Sequence, residues 1–395
     1  MARKVASRLE CTKMRIGLDG LPLTGPKTGV GHYTFELALA LAAVAPSKSF
    51  EVAYPSSAPA VALVDNQRPL PANLTIERVP VDLLGKHWWS VGLPRHIRHQ
   101  GIELFHGTNF DVPLRRRCAT VLTIHDLSQL LHPETHPRRS VSRARRRLPL
   151  MTRTADAIIV PTESVRREVC AQFKVAPEAV FAVPEAARQS FQPMEQEEAE
   201  RVRLRFGVQD NFLLAVGTLE PRKNLAILIA AFNEVARSEP DLQLVIAGGN
   251  GWLTGPLFEA IEKSPYRPRI LLTDYLHDEE LQALYSTCRA FVYPSIYEGF
   301  GLPPLEAMAC GAPVIASRIP ALREILGEAA HFFDPQNKEQ LSRAIIDVTS
   351  DRPRQQRLID AGLQQAKNFS WEQTARATLA VYEVALRRAA TARPR

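Results

Sequence analysis

Cysteine is scarce in this chain, and no two of its five cysteines are close together in the sequence. Cys11, Cys118, Cys170, Cys288 and Cys310 stand far apart, and no Cys-x-x-Cys motif occurs among the 395 residues. Zinc sites and the disulfide frameworks of small secreted domains both use closely spaced cysteines. The spacing therefore argues against a cysteine-based metal site or a disulfide scaffold, and we expect free thiols.

A long apolar run is also absent. The longest run, from Leu37 to Ala45, is well short of the roughly 20 residues that a membrane-spanning helix needs. Residues 1–13 are basic, but no apolar run of signal-peptide length follows them. We therefore expect a cytoplasmic protein, for which any contact with the inner face of the membrane would be peripheral.

Motifs for metals and redox cofactors are missing as well. No Asp-x-Asp sequence lies in a suitable loop, and no histidines and carboxylates stand at metal-ligand spacing. Gly29 and Gly31 would begin a Gly-x-Gly-x-x-Gly dinucleotide motif, but Thr34 occupies its third position. We expect no metal and no cofactor, and the missing glycine disfavours a dehydrogenase.

The chain is long enough for two domains of the α/β class. Its length exceeds what one ordinary core accommodates, and apolar runs alternate with amphipathic stretches, which is typical of parallel sheets covered by helices. The first series of predicted strands comprises residues 15–20, 50–54, 103–106, 121–124, 157–160 and 180–183. The second series comprises residues 212–216, 242–247, 270–272, 290–293 and 313–316.

A polar, glutamate-rich stretch over residues 192–203 separates the two series, and we interpret it as a linker. The predicted domains are residues 14–191 and 200–370, followed by a last helix over residues 371–390. Ligands of open parallel sheets bind beyond the carboxyl ends of the strands. We therefore expect the active site at those ends.

The segment from Tyr297 to Gly311 carries the strongest functional signal. It predicts a glycine-containing loop with Glu298, followed by a helix with Glu306 about two turns from its start. A strand–loop–helix junction offers backbone N–H groups and the positive end of a helix dipole to a phosphate. The adjacent glycines allow a ligand to approach closely, and the two carboxylates suit sugar and ribose hydroxyls. The segment therefore predicts a nucleotide-sugar donor site.

This segment resembles the Glu-x7-Glu signature of retaining GT-B glycosyltransferases of family four. Further segments that resemble the same family are residues 106–109, 121–127, 216–224 and 369–371. The resemblance implies two Rossmann-like domains that face each other across a cleft. In that arrangement residues 14–191 form the acceptor side, residues 200–370 bind the donor, and the last helix crosses back to the first domain.

The resemblance is greatest to bacterial GDP-mannose-dependent mannosyltransferases of polysaccharide assembly. It implies metal-independent transfer of mannose to a glycan or lipid-linked acceptor, with a UDP-linked sugar as the alternative donor. His125 would contact the transferred sugar and Glu298 would bind the donor sugar. Arg222 and Lys223 would neutralise the diphosphate. The residues implied to bind the donor are Gly29, Gly31, Gly217, Thr218, Tyr275, Leu276, Gly299, Phe300, Gly301, Leu302 and Glu306.

Some of these assignments have structural alternatives. Many family members carry an arginine where this chain has Thr218, so Arg222 is a candidate to replace it. Tyr275 would equally suit core packing, and a histidine at the end of a strand is often structural. Lys27, in the first glycine-containing loop, is assigned to the acceptor side.

The net charge of +7 is concentrated in arginine clusters at residues 115–117, 138–139, 143 and 145–147. A solvated basic face and a contact with an anionic membrane both fit these clusters. Nucleic acid is not expected, because no binding motif or interleaved aromatic residue accompanies the arginines. A non-catalytic protein that binds nucleotide sugars or nucleic acid is the alternative function, and binding of nucleic acid at physiological salt would favour it.

Overall fold

The computed structural model describes residues 13–25, 29–61, 69–115 and 117–392. Strands and helices alternate along the described chain and form two parallel sheets, which confirms the predicted α/β class. Lys27 lies outside the described residues. Within them, no helix is both long enough and apolar enough to cross a membrane.

The first sheet is built from the strands of the first half of the chain. These are Arg15–Asp19 (β1), Ser49–Pro55 (β2), Leu74–Val79 (β3), Leu104–Gly107 (β4), Ala119–Thr123 (β5), Ala157–Val160 (β6) and Val180–Ala182 (β7). Their order is β3-β2-β1-β4-β5-β6-β7, and the neighbouring pairs from β3 to β6 are parallel. The chain therefore reverses its direction of travel across the sheet between β1 and β4.

Helices connect these strands. They are Gly29–Val44 (α1), Leu93–Gln100 (α2), Ser128–Leu131 (α3), Arg138–Thr154 (α4) and Glu163–Phe173 (α5). Gly101, with φ at 65°, ends α2, as expected for a glycine just after a helix. Thr162 caps α5 by accepting a hydrogen bond from the Val165 N–H, which satisfies one of the free donors of the first turn.

The second sheet follows the same plan. Its strands are Phe212–Val216 (β8), Gln243–Ala247 (β9), Ile270–Leu272 (β10), Ala290–Tyr293 (β11), Val314–Ser317 (β12) and Ala330–Phe333 (β13). They pair in parallel in the order β10-β9-β8-β11-β12-β13. Leu213 and Leu214 are both fully buried, in two different core clusters. Burial on both faces explains why these strands are continuous apolar runs.

Helices alternate with the strands of the second half and follow the last of them. They are Gln196–Leu204 (α6), Leu225–Val235 (α7), Gly255–Glu262 (α8), Asp278–Thr287 (α9), Leu302–Ala309 (α10), Pro320–Leu326 (α11), Lys338–Ser350 (α12), Arg352–Ala366 (α13) and Trp371–Ala392 (α14). The stretch over residues 192–203, which we interpreted as a linker, thus contains most of α6. Ala199 and Val202 of α6 pack against Ala283 of α9, because these two apolar positions lie on one face of an otherwise charged helix.

Contacts divide the chain into two compact units. The first comprises residues up to 124, residues 150–159 and residues from 375 onward, and the second comprises residues 125–149 and 160–374. Within the first unit, Tyr382 of α14 hydrogen bonds to Nδ1 of His106 at 2.8 Å. The boundaries predicted from the sequence, 14–191, 200–370 and 371–390, follow the strand series instead and stay a prediction.

Candidate active site

The candidate site lies at the carboxyl ends of β8 and β11. These strands are neighbours, but the chain continues from β8 to β9 on one side and from β11 to β12 on the other. Loops that leave adjacent parallel strands in opposite directions open a crevice at the edge of the sheet. The loop over residues 217–224 and the loop over residues 294–301 meet there, so the fold brings together two segments singled out in the sequence.

Gly217 allows the loop after β8 to pack tightly. Its φ of 151° disfavours residues with a side chain, and a Cβ at this position would lie 3.2 Å from Cε of Lys223. Thr218 is partly exposed, and a Cβ on Gly251 would lie 2.8 Å from its methyl group. Thr218 therefore packs against the loop after β9, while the guanidinium of this site comes from Arg222.

Arg222 and Lys223 both donate hydrogen bonds to the carboxylate of Glu298. Nζ of Lys223 lies 2.6 Å from Oε1, and Nη1 of Arg222 lies 2.7 Å from Oε2. Lys223 also donates to the hydroxyl of Tyr293 at 2.7 Å, and Nη2 of Arg222 donates to Oε1 of Glu220 at 2.5 Å. Three of the four predicted catalytic residues therefore form one buried cluster.

The cluster is electrically balanced. Arg222 and Lys223 contribute two positive charges, and Glu220 and Glu298 contribute two negative charges. Burial acts to raise the pKa of Glu298, but the two cations outweigh it and hold the pKa at about 2. Burial lowers the pKa of Lys223, and Glu298 offsets this only in part. A diphosphate would thus share these cations with Glu298 rather than meet two unpaired charges.

The loop after Glu298 is fixed by close backbone contacts. A Cβ on Gly299 would lie 1.8 Å from the carbonyl oxygen of His125, so only glycine fits here without a shift. Oγ1 of Thr162 donates to the carbonyl of Gly299 at 3.0 Å. Phe300 is buried and meets the ring of Phe369 edge-on at 5.9 Å. The loop is held in one conformation from several sides.

The same loop presents a run of unbonded N–H groups. The backbone N–H groups of Gly299, Phe300, Gly301 and Leu302 have no acceptor among the described residues. Gly301, with φ at 106°, precedes α10, and Pro303 and Pro304 lack N–H groups. The donors near the start of α10 are therefore concentrated in the loop and at Leu302, and consecutive free donors of this kind suit an anion.

His125 lies next to this loop through its carbonyl oxygen, as the Gly299 contact shows. Its Nδ1 is 3.2 Å from Oε1 of Glu185, and Glu185 is buried. Asp126, the neighbouring carboxylate, instead accepts the N–H of Ser128 at 2.8 Å. The carboxylate that orients the imidazole is therefore Glu185, whereas Asp126 stabilises the turn into α3.

Glu306, on helix α10, belongs to a second group of charged residues. It is the fifth residue of α10, because the helix begins only at Leu302, so it is about one turn from the start rather than two. Nε of Arg188 donates to its Oε1 at 3.0 Å, and Arg188 also pairs with Asp278. Burial raises the pKa of Glu306, although Arg188 opposes the shift.

Tyr275 and Leu276 have different environments. Tyr275 is 47% exposed, and its partial burial, together with the charge of Asp278, raises its pKa. Leu276 is buried in the core cluster of the second sheet. An exposed ring beside Asp278 remains available to a nucleobase, while Leu276 packs in the core.

Gly29 and Gly31 belong to the other contact unit, at the start of α1. Thr34, three residues further on, is buried and hydrogen bonds to Thr108 at 2.9 Å. The role of these glycines in donor binding stays a prediction. The described residues contain no group of three or more His, Cys, Asp or Glu side chains that could hold a metal ion.

Sequence reasoning missed Arg188, Glu185, Glu220 and Tyr293. Arg188 and Glu185 lie in the irregular segment after β7, where no periodicity marks buried positions. Glu220 was visible in the segment that resembles the family, next to Arg222, but its pairing depends on the fold. Tyr293 is the last residue of the buried strand β11. Its hydroxyl group, at the end of an apolar strand, could have marked it as a residue of the site.

Two family descriptions match consecutive parts of this chain. Residues 27–186 match Glycosyltransferase Family 4, and residues 196–365 match Glycosyl transferases group 1. His125 lies in the first match. Arg222, Lys223, Glu298 and Glu306 lie in the second, so both matches include residues of the site described here.

Two proteins of Escherichia coli are similar to this chain over different lengths. O-antigen chain mannosyltransferase B of Escherichia coli is 29% identical over 387 residues, which are 94% of this chain and 100% of that protein. Serotype-specific mannosyltransferase WbdA of Escherichia coli is 33% identical over 228 residues, and the match spans 56% of this chain but only 28% of that longer protein.

Among solved structures, Anabaena HepE in complex with UDP and glucose aligns with a TM-score of 0.74 at 17% identity. The alignment covers 94% of this chain and 99% of that one, and it shows a shared fold. The chain therefore contains a Glycosyltransferase Family 4 region followed by a Glycosyl transferases group 1 region, and it is a glycosyltransferase with the two Rossmann-like sheets of the GT-B fold.

Proposed function

We propose that the protein is a retaining mannosyltransferase that moves mannose from GDP-mannose to a hydroxyl of a glycan or lipid-linked acceptor. The observation that carries this proposal is the placement of Arg222, Lys223 and Glu298 beside the free N–H groups of residues 299–302. The phosphates of a sugar diphosphate would accept hydrogen bonds from the two cations and the N–H groups. Its sugar hydroxyls would donate hydrogen bonds to the carboxylate of Glu298. Mannose is supported by the two Escherichia coli relatives, both mannosyltransferases by description.

The site is suited to stabilising a leaving diphosphate. Negative charge grows on the phosphate oxygen as the bond to the sugar breaks, and preorganised donors stabilise such charge most effectively in a dry site. Arg222, Lys223 and the loop N–H groups are fixed by their contacts before any ligand binds. Glu298 remains ionised, because its pKa is about 2, and its oxygens are oriented acceptors for sugar hydroxyls.

Retention through two displacements would need a carboxylate nucleophile. Glu298 accepts from two cations and has a low pKa, which makes it a weak nucleophile. Glu220 is buried and accepts from Arg222. We therefore infer attack by the acceptor on the face from which GDP departs. The acceptor oxygen bonds to the anomeric carbon, the bond to phosphate breaks, and the acceptor proton passes to the departing phosphate oxygen.

The nucleoside would lie near Glu306 and Tyr275, since these residues come together with Asp278 and Arg188 on the same edge of the second sheet. A UDP-linked sugar is the second candidate donor. The structure of the Anabaena neighbour with UDP and glucose favours it, since that chain shares this fold.

Thermal unfolding with nucleotides tests the donor. We expect GDP and GDP-mannose to raise the melting temperature, with or without EDTA, and UDP, ADP and dTDP to leave it unchanged. Transfer from GDP-mannose to an α-mannoside with an apolar aglycone, followed by NMR of the new anomeric centre, tests the reaction. A shift with UDP sugars alone would reassign the donor, and a β-linked product would contradict retention.

A further inference from the structure

The loop after β9 places a tryptophan against a distant part of the chain. Nε1 of Trp252 donates a hydrogen bond to the carbonyl of Thr135 at 2.8 Å, across 117 positions. The indole also stacks on the imidazole of His136, with the ring centroids 5.6 Å apart and the ring planes inclined at 30°. In the described structure Trp252 belongs to neither core cluster of the second sheet, so core packing does not account for its position.

The loop over residues 248–254, which carries this tryptophan, is fixed to the loop over residues 217–224. The N–H of Leu219 donates to the carbonyl of Gly249 at 3.0 Å, and the N–H of Gly251 donates to the carbonyl of Leu219 at 3.2 Å. The backbone that holds the indole is therefore bonded to the backbone that holds the two cations of the site.

Leu253, next to Trp252, has a backbone conformation that is uncommon for its residue type. Its φ is 54°, in the left-handed region that residues other than glycine, asparagine and aspartate rarely adopt. Leu253 is also 51% exposed, so burial of its side chain does not offset the strain. Strain of this kind persists where the surrounding contacts determine the backbone, and it is concentrated at functional sites.

His125 belongs to the segment that Trp252 contacts. We call residues 125–136 the bridging segment. Near its start, the N–H of Leu127 donates at 3.0 Å to the hydroxyl of Tyr297, in the loop after β11. Near its end, Trp252 contacts it from the loop after β9. Since β9 and β11 flank β8, the bridging segment is fixed on both sides of the strand that leads to the two cations.

His136 connects the contact with Trp252 to the turn that follows His125. Its Nε2 forms a hydrogen bond of 3.0 Å with Oγ of Ser128, and the N–H of Ser128 donates to Asp126 at 2.8 Å. Burial lowers the pKa of His136, so the imidazole is neutral near pH 7 and packs against the indole without a charge to desolvate. A continuous series of contacts thus leads from Trp252 to the residue after His125.

We propose that Trp252 is a positioning residue for sugar transfer, because it holds the bridging segment in the place where His125 meets the donor sugar. The inference rests on the proposed function, since it assigns the imidazole beside the N–H groups of residues 299–302 to the transferred sugar. Displacement of a catalytic group by about 1 Å can lower a rate by about 10²-fold. The hydrogen bond and the ring stack of Trp252 both oppose such a displacement.

Steady-state kinetics of transfer from GDP-mannose test the proposal. Trp252→Phe keeps an aromatic ring but removes the N–H that the carbonyl of Thr135 accepts. We expect kcat to fall about tenfold and KM for GDP-mannose to stay within about twofold. GDP should raise the melting temperature of the variant as it does that of the unmodified chain, because the groups proposed to bind phosphate are retained. The matched control is Trp89→Phe, at another partly buried tryptophan, and it should leave both kinetic constants unchanged.

The double variant His125→Ala/Trp252→Phe separates positioning from general stabilisation. If Trp252 acts through His125, the second substitution should change kcat by less than about twofold once the imidazole is absent, because the effects of coupled residues are not additive. A purely structural role would instead multiply the two losses. Multiplied losses, an unchanged kcat in Trp252→Phe, or an equal loss in Trp89→Phe would overturn the proposal.

Failure of this inference is distinguishable from failure of the proposed function. An unmodified chain that transfers no sugar from GDP-mannose or from UDP-glucose would contradict the function, and this inference with it. An active unmodified chain whose Trp252→Phe variant is equally active would overturn the positioning role alone.

Discussion

Glu298 accepts hydrogen bonds from the cations Arg222 and Lys223, and this geometry keeps its carboxylate ionised over the whole neutral pH range. A carboxyl group with a pKa of about 2 does not act as a general acid near pH 7. Its oxygens are instead held in place by Lys223 and Arg222. The residue is thus a fixed acceptor that balances the charge of Arg222 and Lys223 and, in the proposed function, would orient a sugar hydroxyl.

Replacing Glu298 by glutamine should abolish transfer and preserve the fold. The amide has the same shape, but the cluster gains a net positive charge and loses one acceptor oxygen. We expect kcat/KM for transfer to fall by about two orders of magnitude or more, comparable with the loss of one preorganised catalytic contact. GDP should still raise the melting temperature, because Arg222 and Lys223 are retained. Unchanged turnover would contradict the proposed role of Glu298 in transfer.

Asp19, at the end of β1, should make stability depend on pH. Burial raises its pKa to about 7, the N–H of Leu21 opposes the shift, and Asp111 adds to it. In the unfolded chain its pKa is near the ordinary 3.8, so between about pH 4 and pH 7 the folded state holds a proton that the unfolded state has released. Stability therefore falls as pH rises through this window, by on the order of 4 kcal/mol, and levels off above it.

The Asp19→Asn variant should lose that dependence, because asparagine keeps an acceptor for the Leu21 N–H and does not ionise. Urea unfolding at several pH values between about 4 and 8 measures the slope. Asp241→Asn, at an exposed position, is the control and should unfold with the slope of the unmodified chain. A variant at position 19 with the same slope would show that Asp19 is not the titrating group.

Arg188 should stabilise the folded protein through its ion pairs with Glu306 and Asp278, the second charged group of the site. Arg188→Met leaves Glu306 and Asp278 without their cation, and a buried charge that loses its partner destabilises a protein by about 3–5 kcal/mol. The double variant Arg188→Met/Glu306→Gln should recover part of this loss, since it removes the unpaired carboxylate. Arg205→Met, which breaks an exposed pair with Glu280, should change the free energy of unfolding by about 1 kcal/mol or less. Additive effects at Arg188 and Glu306 would contradict the coupling.

At the scale of elements, the loop between β11 and α10 depends on Gly299. In a Gly299→Ala variant the new methyl group would overlap the carbonyl oxygen of His125. Since backbone atoms must shift, we expect destabilisation of about 1–3 kcal/mol or more and reduced transfer. Gly255→Ala at the start of α8 is the matched control: nothing lies within 4 Å of a Cβ there, so its stability should be unchanged or slightly higher. Equal stability of the two variants in thermal unfolding would show that the loop tolerates the shift.

Several elements could be predicted from their sequences and others could not. The buried central strands of both series were found, because their apolar runs are continuous. β3 and β13 were missed. Both lie at sheet edges, and in β3 only the end residues Leu74 and Val79 are buried, with the exposed charged pair Glu77 and Arg78 between them. The last strand, Ala330–Phe333, is short and only half buried.

At the scale of the whole molecule, the site is harder to predict than the fold. The sequence located Arg222, Lys223 and Glu298 in two separate segments, and the order of the strands brings them together. It did not predict that Glu298 neutralises both cations, because side-chain pairing across two loops has no periodic signal. The partner of His125 could not be predicted for the same reason: it is Glu185, 60 positions further along the chain, whereas the adjacent Asp126 accepts the N–H of Ser128.

The contact between Thr162 and Gly299 has a consequence for how the protein is made. These residues are 137 positions apart in the chain, and His125 reaches the same glycine over a still longer separation. Contacts between distant residues form late in folding, because closing a long loop is entropically unfavourable. During synthesis the strands that precede Thr162 emerge well before Gly299 does. A ribosome-bound chain that ends before this loop therefore has the strands of its first sheet but lacks the N–H groups of residues 299–302, to which the phosphates of the proposed donor would bind.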